Sequence, residues 1–135
     1  MNCAILFCGQ PRNYKKSLEI WQKFITELNA DVFIHTWSGK DRYGNICDIN
    51  ELINDFQPKN IEISQQKNLY ELLPDDFYFM PNTLGNKAAY IEPKKYSSLE
   101  QSFSLTRGFN LIEEYKNNFN IKYDIILKFR FDIFF

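Results

Sequence analysis

The run Asn2–Cys8 is almost continuously apolar and stops at Gly9 and Pro11. A strand with one wet face alternates polar and apolar residues. A run without alternation fits a strand covered on both faces, as in parallel sheets with helices above and below. That single segment constrains the fold more than any other. It suits a covered sheet better than an antiparallel meander with a wet face, and it asks for helical segments elsewhere in the chain.

Those segments are present. From Lys15 to Asn29, Leu18, Trp21, Phe24, Ile25 and Leu28 recur at three- and four-residue steps, which is one face of a helix. Asp31–Trp37 follows as a second strand, so the opening is a strand–helix–strand unit of the right-handed kind. Asp48 is suited to cap a short helix through Phe56, with Ile49, Leu52, Ile53 and Phe56 as its stripe. Pro58 stops that helix, and Ile61–Ile63 reads as a third strand. Ser97 or Ser98 caps a long helix to about Phe119, with Leu105, Phe109, Ile112 and Phe119 as its buried side. Tyr123–Phe134 is the last strand, turning to strict alternation from Lys128 to Ile133.

Four proline and glycine breaks, Pro74, Pro81, Gly85 and Pro93, make 64–96 an irregular excursion. With 135 residues and 44% hydrophobic content, the chain suits one core. The expected architecture is a single α/β domain over 1–135. It is a Rossmann-like three-layer sandwich with a mostly parallel sheet in the order 3-2-1-4.

Composition narrows the partners. Sixteen basic and 17 acidic residues give a net charge of -1, with no basic stripe for nucleic acid. No apolar run approaches the roughly 20 residues that span a bilayer, and no signal peptide is evident after Met1, so a cytoplasmic protein without a transmembrane segment is expected. Cys3, Cys8 and Cys47 lack metal or disulfide spacing. Cys8 reads either as a small buried apolar residue or as a thiol beside a ligand loop.

Three strand ends carry residues suited to ligand chemistry. The first strand leads into Gly9-Gln10-Pro11-Arg12, where glycine allows close backbone approach and Arg12 can meet an anion. It is neither GxGxxG nor GxxxxGK[ST], and a plain turn explains it as well. His35 and Trp37 share a face of the second strand, where an aromatic ring can stack on a base and an imidazole can hydrogen-bond. A structural histidine is the alternative. On the last strand, two-residue periodicity aligns Lys128, Arg130 and Asp132. Two cations suit a diphosphate and a carboxylate suits a divalent metal, while an Arg130–Asp132 surface ion pair fits the spacing equally.

As a set, CGQPRNY, DVFIHTW, YSSLEQSFSLTRGFNLIEEYK and YDIILKFRFDIFF resemble the N-terminal nucleotide-sugar-binding region of GT-A glycosyltransferases. The likeness is to bacterial and viral members with a GQxR opening and a YDxxxxxRxD strand. The resemblance implies binding of a nucleoside diphosphate sugar by Gly9, Gln10, Arg12, His35, Trp37, Lys128 and Arg130. It implies Mn or Mg at Asp132 and a glycan acceptor held by a C-terminal half. The usual acidic motif is DxD, whereas this chain reads Arg130-Phe131-Asp132. Only Ile133, Phe134 and Phe135 follow, so no catalytic base can be named. The expectation is therefore a fragment of such an enzyme, or a non-catalytic nucleotide-binding or assembly module. An apolar rim left by a missing half would favour homo-association.

Overall fold

A computed structural model describes residues 1–40, 44–65 and 97–133. Strands β1 (Cys3–Cys8), β2 (Asp31–Trp37), β3 (Asn60–Ser64) and β4 (Ile125–Phe129) form one sheet in the order β3-β2-β1-β4. Every pairing is parallel, with Ala4 opposite Asp31, Cys3 opposite Ile125 and Phe33 opposite Asn60 at the starts of the ladders. The sheet order and the α/β class match the sequence expectation. The expected excursion lies, from residue 66 onward, outside the described residues, as does Phe134.

β1 is central and buried along its whole length, which is why its sequence carries no polar alternation. Its odd-numbered residues Cys3, Ile5 and Phe7 face α1 (Leu18–Leu28) and α2 (Ile49–Phe56). Its even-numbered residues Ala4, Leu6 and Cys8 face α3 (Ser97–Phe119). The core is therefore two clusters separated by the sheet, giving three layers. The first cluster is aromatic: Phe7 meets Trp21 edge-on at 5.1 Å, and Phe131 stacks on Phe7 at 5.1 Å. Ring pairs of this kind add about 0.5–1.5 kcal/mol each beyond buried area.

Helix boundaries follow local chemistry. A 3-10 turn at Tyr14–Ser17 precedes α1, so the region read as one helix from Lys15 begins with a tighter turn. Asp48 caps α2 as expected, its Oδ1 accepting from the Glu51 amide at 3.2 Å. Asn29 and Gln57 end α1 and α2 in the left-handed conformation, with φ of 47° at both.

Two expectations fail locally. On α3, Phe109 and Phe119 are 40% and 62% exposed, so they are not part of the buried side. Ile112 is buried against the sheet as expected and Leu105 packs beside it, with Ser104, Gly108 and Leu111 completing the buried side. On the last strand, extended pairing ends at Phe129 and the chain turns through Phe131 and Asp132. Phe131 draws it down: the ring is fully buried against Phe7, Tyr14 and Phe56, and Ser17 Oγ donates to the Ile133 carbonyl at 2.9 Å. Among the described residues, no helix is long and apolar enough to cross a membrane.

Candidate functional site

All four strands point the same way, so the loops after β1 and β2 meet at one edge of the sheet, where open α/β sheets hold ligands. The first loop is fixed at its root. Gly9 has φ of 104°, a conformation glycine adopts without strain. Its N–H donates to the His35 carbonyl at 3.1 Å, and its carbonyl accepts from Thr36 Oγ1 at 2.9 Å. Both backbone groups of Gly9 are thus tied to β2, and the chain leaves the sheet at Gln10 in a set direction.

Beyond Gly9, a cleft of about 240 Å³ opens between Gln10–Lys15 on one side and Asn45–Asp48 with Glu51 on the other. Within it, Gln10 Nε2 is buried without a hydrogen-bond partner. An unmet buried donor costs about 1–3 kcal/mol, and because this atom is out of contact with solvent, an acceptor in the cleft reaches it only if the side chain turns. The formal charges on the walls balance: Arg12 and Lys15 against Asp48 and Glu51. Lys15 pairs with Glu51 of the opposite wall and lies 3.3 Å from Asp55 Oδ2. Tyr14 Oη donates to that same oxygen at 2.7 Å. Cys47 sits in the wall with its thiol pushed up to about 11, by burial first and then by the nearby Asp48 and Glu51 carboxylates. The raised value keeps the thiol in its protonated form at neutral pH.

Of the residues singled out from sequence, Gln10 and Arg12 line this cleft, with Gly9 at its root. The others lie elsewhere. His35 is fully buried beneath α3, with Nδ1 2.6 Å from Ser104 Oγ and Nε2 2.9 Å from Ser64 Oγ. Trp37 is 3% exposed and stacks on Phe103 of α3 at 5.5 Å. Neither ring offers a face to a ligand here. Burial lowers His35 to about 4, with Glu62 opposing and Arg107 reinforcing the shift, so the imidazole is neutral at physiological pH. Glu62 is itself held by a bidentate bond from Arg107, with Nε to Oε2 at 2.6 Å. His35, Ser64, Ser104, Glu62 and Arg107 therefore form a polar clamp joining β2, β3 and α3.

Lys128 projects from exposed β4 near Cys8, whose thiol burial pushes up to about 11 against the lowering influence of Lys128 and the Ser104 contact. Arg130 and Asp132 form a bidentate pair, Nε to Oδ1 at 3.0 Å and Nη2 to Oδ2 at 2.8 Å. This is the surface ion pair that the spacing allowed. It occupies both oxygens of the carboxylate proposed for Mn or Mg. Among the described residues, no group of three His, Cys, Asp or Glu side chains is placed to hold a metal ion. As arranged, these residues do not fit a resident divalent cation.

The second wall of the cleft joins Asn45, the end of the glycine-containing loop after β2 where ligands often sit, to Ile46–Asp48 and Glu51. Asp48 announced itself in the sequence only as a helix cap, and the other residues carry no motif. The chain matches no protein-family model, no curated protein and no solved structure.

Proposed function

We propose that the chain is the donor-binding region of a GT-A-type glycosyltransferase, taking a nucleoside diphosphate sugar for transfer to a glycan. One observation carries this reading. Two residues of the GQxR loop, Gln10 and Arg12, line the cleft at the carboxyl ends of β1 and β2, and the Gln10 side chain carries a buried donor that has no partner in the structure. The cleft, at about 240 Å³, is below the roughly 300–1,000 Å³ of whole ligand pockets. It suits part of a nucleotide, with the remainder extending over the sheet edge towards β4.

The chemistry assigned to these residues is binding and orientation. Arg12 presents a planar, permanently charged donor array to phosphate oxygens. Gln10 supplies a neutral donor to an acceptor on the ligand. Because the Asp132 carboxylate is taken by Arg130, no step is routed through Mn or Mg. No residue is assigned as catalytic base.

A second reading, a nucleotide-binding or assembly module without turnover, is favoured by the engagement of both cleft carboxylates. Asp48 caps α2, and in the ligand-free cleft Glu51 pairs with Lys15. Calorimetry with UDP, GDP and their sugars tests both readings. Binding of a nucleotide sugar together with slow release of free sugar supports the enzyme. Binding without turnover supports the module. No heat with any nucleotide at millimolar concentration sinks both.

A further inference from the structure

The two walls of the cleft are tied by the Lys15–Glu51 pair, which joins the 3-10 turn after β1 to the first turn of α2. We infer that this pair is an exchangeable latch: an incoming phosphate anion takes Lys15 from Glu51, and Glu51 sets how tightly the anion binds. The inference rests on the nucleotide-binding reading of the same cleft and names two residues which that reading does not use.

Three observations carry it. First, the pair is weak enough to break. The side chains are 50% and 48% exposed, and surface pairs of this kind contribute little against water and salt. Second, each former partner is satisfied without Lys15. Glu51 returns to solvent, while Asp55 keeps its 2.7 Å bond from Tyr14 and its backbone carbonyl keeps the bond from Gln22 Nε2 at 3.0 Å. Third, the walls balance two cations with two carboxylates, so the cleft has little net attraction for a multiply charged anion until one carboxylate is offset. Asp48 cannot be that one without loss of the α2 cap. Glu51 is the adjustable charge. Gln10, in the same lining, carries one further donor without a partner, its buried Nε2.

The ligand chemistry is a phosphate or diphosphate group carried by a nucleotide. Lys15 moves only by side-chain rotation, since its ammonium ends a flexible stem with rotatable donors. No covalent step is involved.

The test is calorimetry of the full chain with UDP, inorganic pyrophosphate and uridine, without metal, on wild type, Glu51→Gln, Lys15→Met and the double variant. Glu51→Gln is expected to tighten UDP and pyrophosphate by about three- to tenfold, the effect of one unit charge several ångströms away at an intermediate dielectric. Uridine, which lacks phosphate, is expected to show no gain. Lys15→Met is expected to weaken UDP, and the gain from Glu51→Gln is expected to vanish in the double variant, a coupling that independent sites would not show. Circular dichroism checks that each variant is folded. A gain that persists in the double variant overturns the latch, because removal of a negative charge then acts without Lys15. UDP binding unchanged by Glu51→Gln overturns the latch alone. No binding of UDP or pyrophosphate by any of the four proteins overturns it together with the nucleotide reading.

Discussion

Gly108 of α3 sits directly against Leu6 of β1: a Cβ built on the glycine would lie 2.7 Å from Leu6 Cδ1 and 3.1 Å from Cys8 Sγ. The helix can approach the central strand this closely only because the residue has no side chain. Leu6 is fully buried, so its methyl groups cannot swing aside into water.

This contact gives a prediction of sign. In an exposed helix interior, Gly→Ala stabilises by about 1 kcal/mol. At Gly108 the added methyl overpacks the core, and overpacking costs about 1–3 kcal/mol. Gly108→Ala is therefore expected to lower stability by about 1–2 kcal/mol in urea unfolding. Leu6→Val, which shortens the side chain, should recover part of the loss in the double variant. A simple gain in stability from Gly108→Ala would show that α3 does not rest on β1 as described.

The same contact explains what the sequence revealed of α3 and what it concealed. Reading large apolar residues as the buried side selected Phe109 and Phe119, which are exposed. Close helix–sheet approach instead uses small residues, here Ser104 and Gly108, and a hydrophobic pattern gives these no weight. By contrast, β1 was legible because burial on both faces writes itself as an unbroken apolar run, β2 because Val32, Phe33, Ile34 and Trp37 follow directly on the first helix, and α2 because its cap is local chemistry. β4 was overextended for a different reason. Alternation from Lys128 to Ile133 is compatible with a strand, and only the pocket formed by Phe7, Tyr14 and Phe56 decides that Phe131 turns inward. The cleft was half legible. Its first wall follows a strand-end glycine, whereas its second comes from residues brought there by tertiary structure.

His35 makes stability depend on pH in a definite window. Its folded value is lowered to about 4, against about 6.5 in an unfolded chain. The unfolded state therefore binds the proton first as pH falls. The stability associated with neutral His35 is complete above pH 6.5, declines between 6.5 and about 4, and declines no further from this group below that. Between pH 7 and 5 the expected loss is about 2 kcal/mol. His35→Asn should be less stable at pH 7, since the contacts to Ser64 and Ser104 are disturbed, but should lose most of this slope. Urea midpoints at pH 5, 6 and 7 measure it. An equal slope in both proteins would show that other groups carry the pH dependence.

Gln10 separates stability from binding. Its buried amide nitrogen has no partner in the described structure, so replacing it with an apolar side chain of similar length removes an unmet donor. Gln10→Met is expected to leave stability unchanged or raise it by up to about 1 kcal/mol. The same change should weaken UDP binding by about five- to tenfold, the loss of one hydrogen bond in a partly buried site. Arg12→Ala should weaken it more, by tenfold or above, because a charge-assisted bond is lost. Unfolding and calorimetry on the same preparations give both numbers. Lower stability without a change in affinity would make Gln10 a structural residue.

Arg130 and Asp132 offer the last test, because their bidentate pair assigns them to each other before any ligand arrives. Arg130 is 54% exposed and Asp132 25% in their side chains, so the guanidinium is held at the surface near the end of β4. A diphosphate extending from the cleft towards β4 would compete with Asp132 for it. Arg130→Ala is then expected to weaken metal-free UDP binding by about threefold to tenfold, within the range of a charge-assisted bond offset by loss of the existing pair. Asp132→Asn acts in the opposite direction. It weakens the hold on Arg130 and should tighten metal-free UDP binding by a few-fold. Any increment in affinity that Mn gives the wild type, measured by repeating the titrations with the metal, is expected to persist in Asp132→Asn, since both carboxylate oxygens already accept from Arg130. Loss of that increment in a folded variant would assign the carboxylate to the metal. The ion pair would then be a resting arrangement that gives way when the metal–diphosphate complex binds.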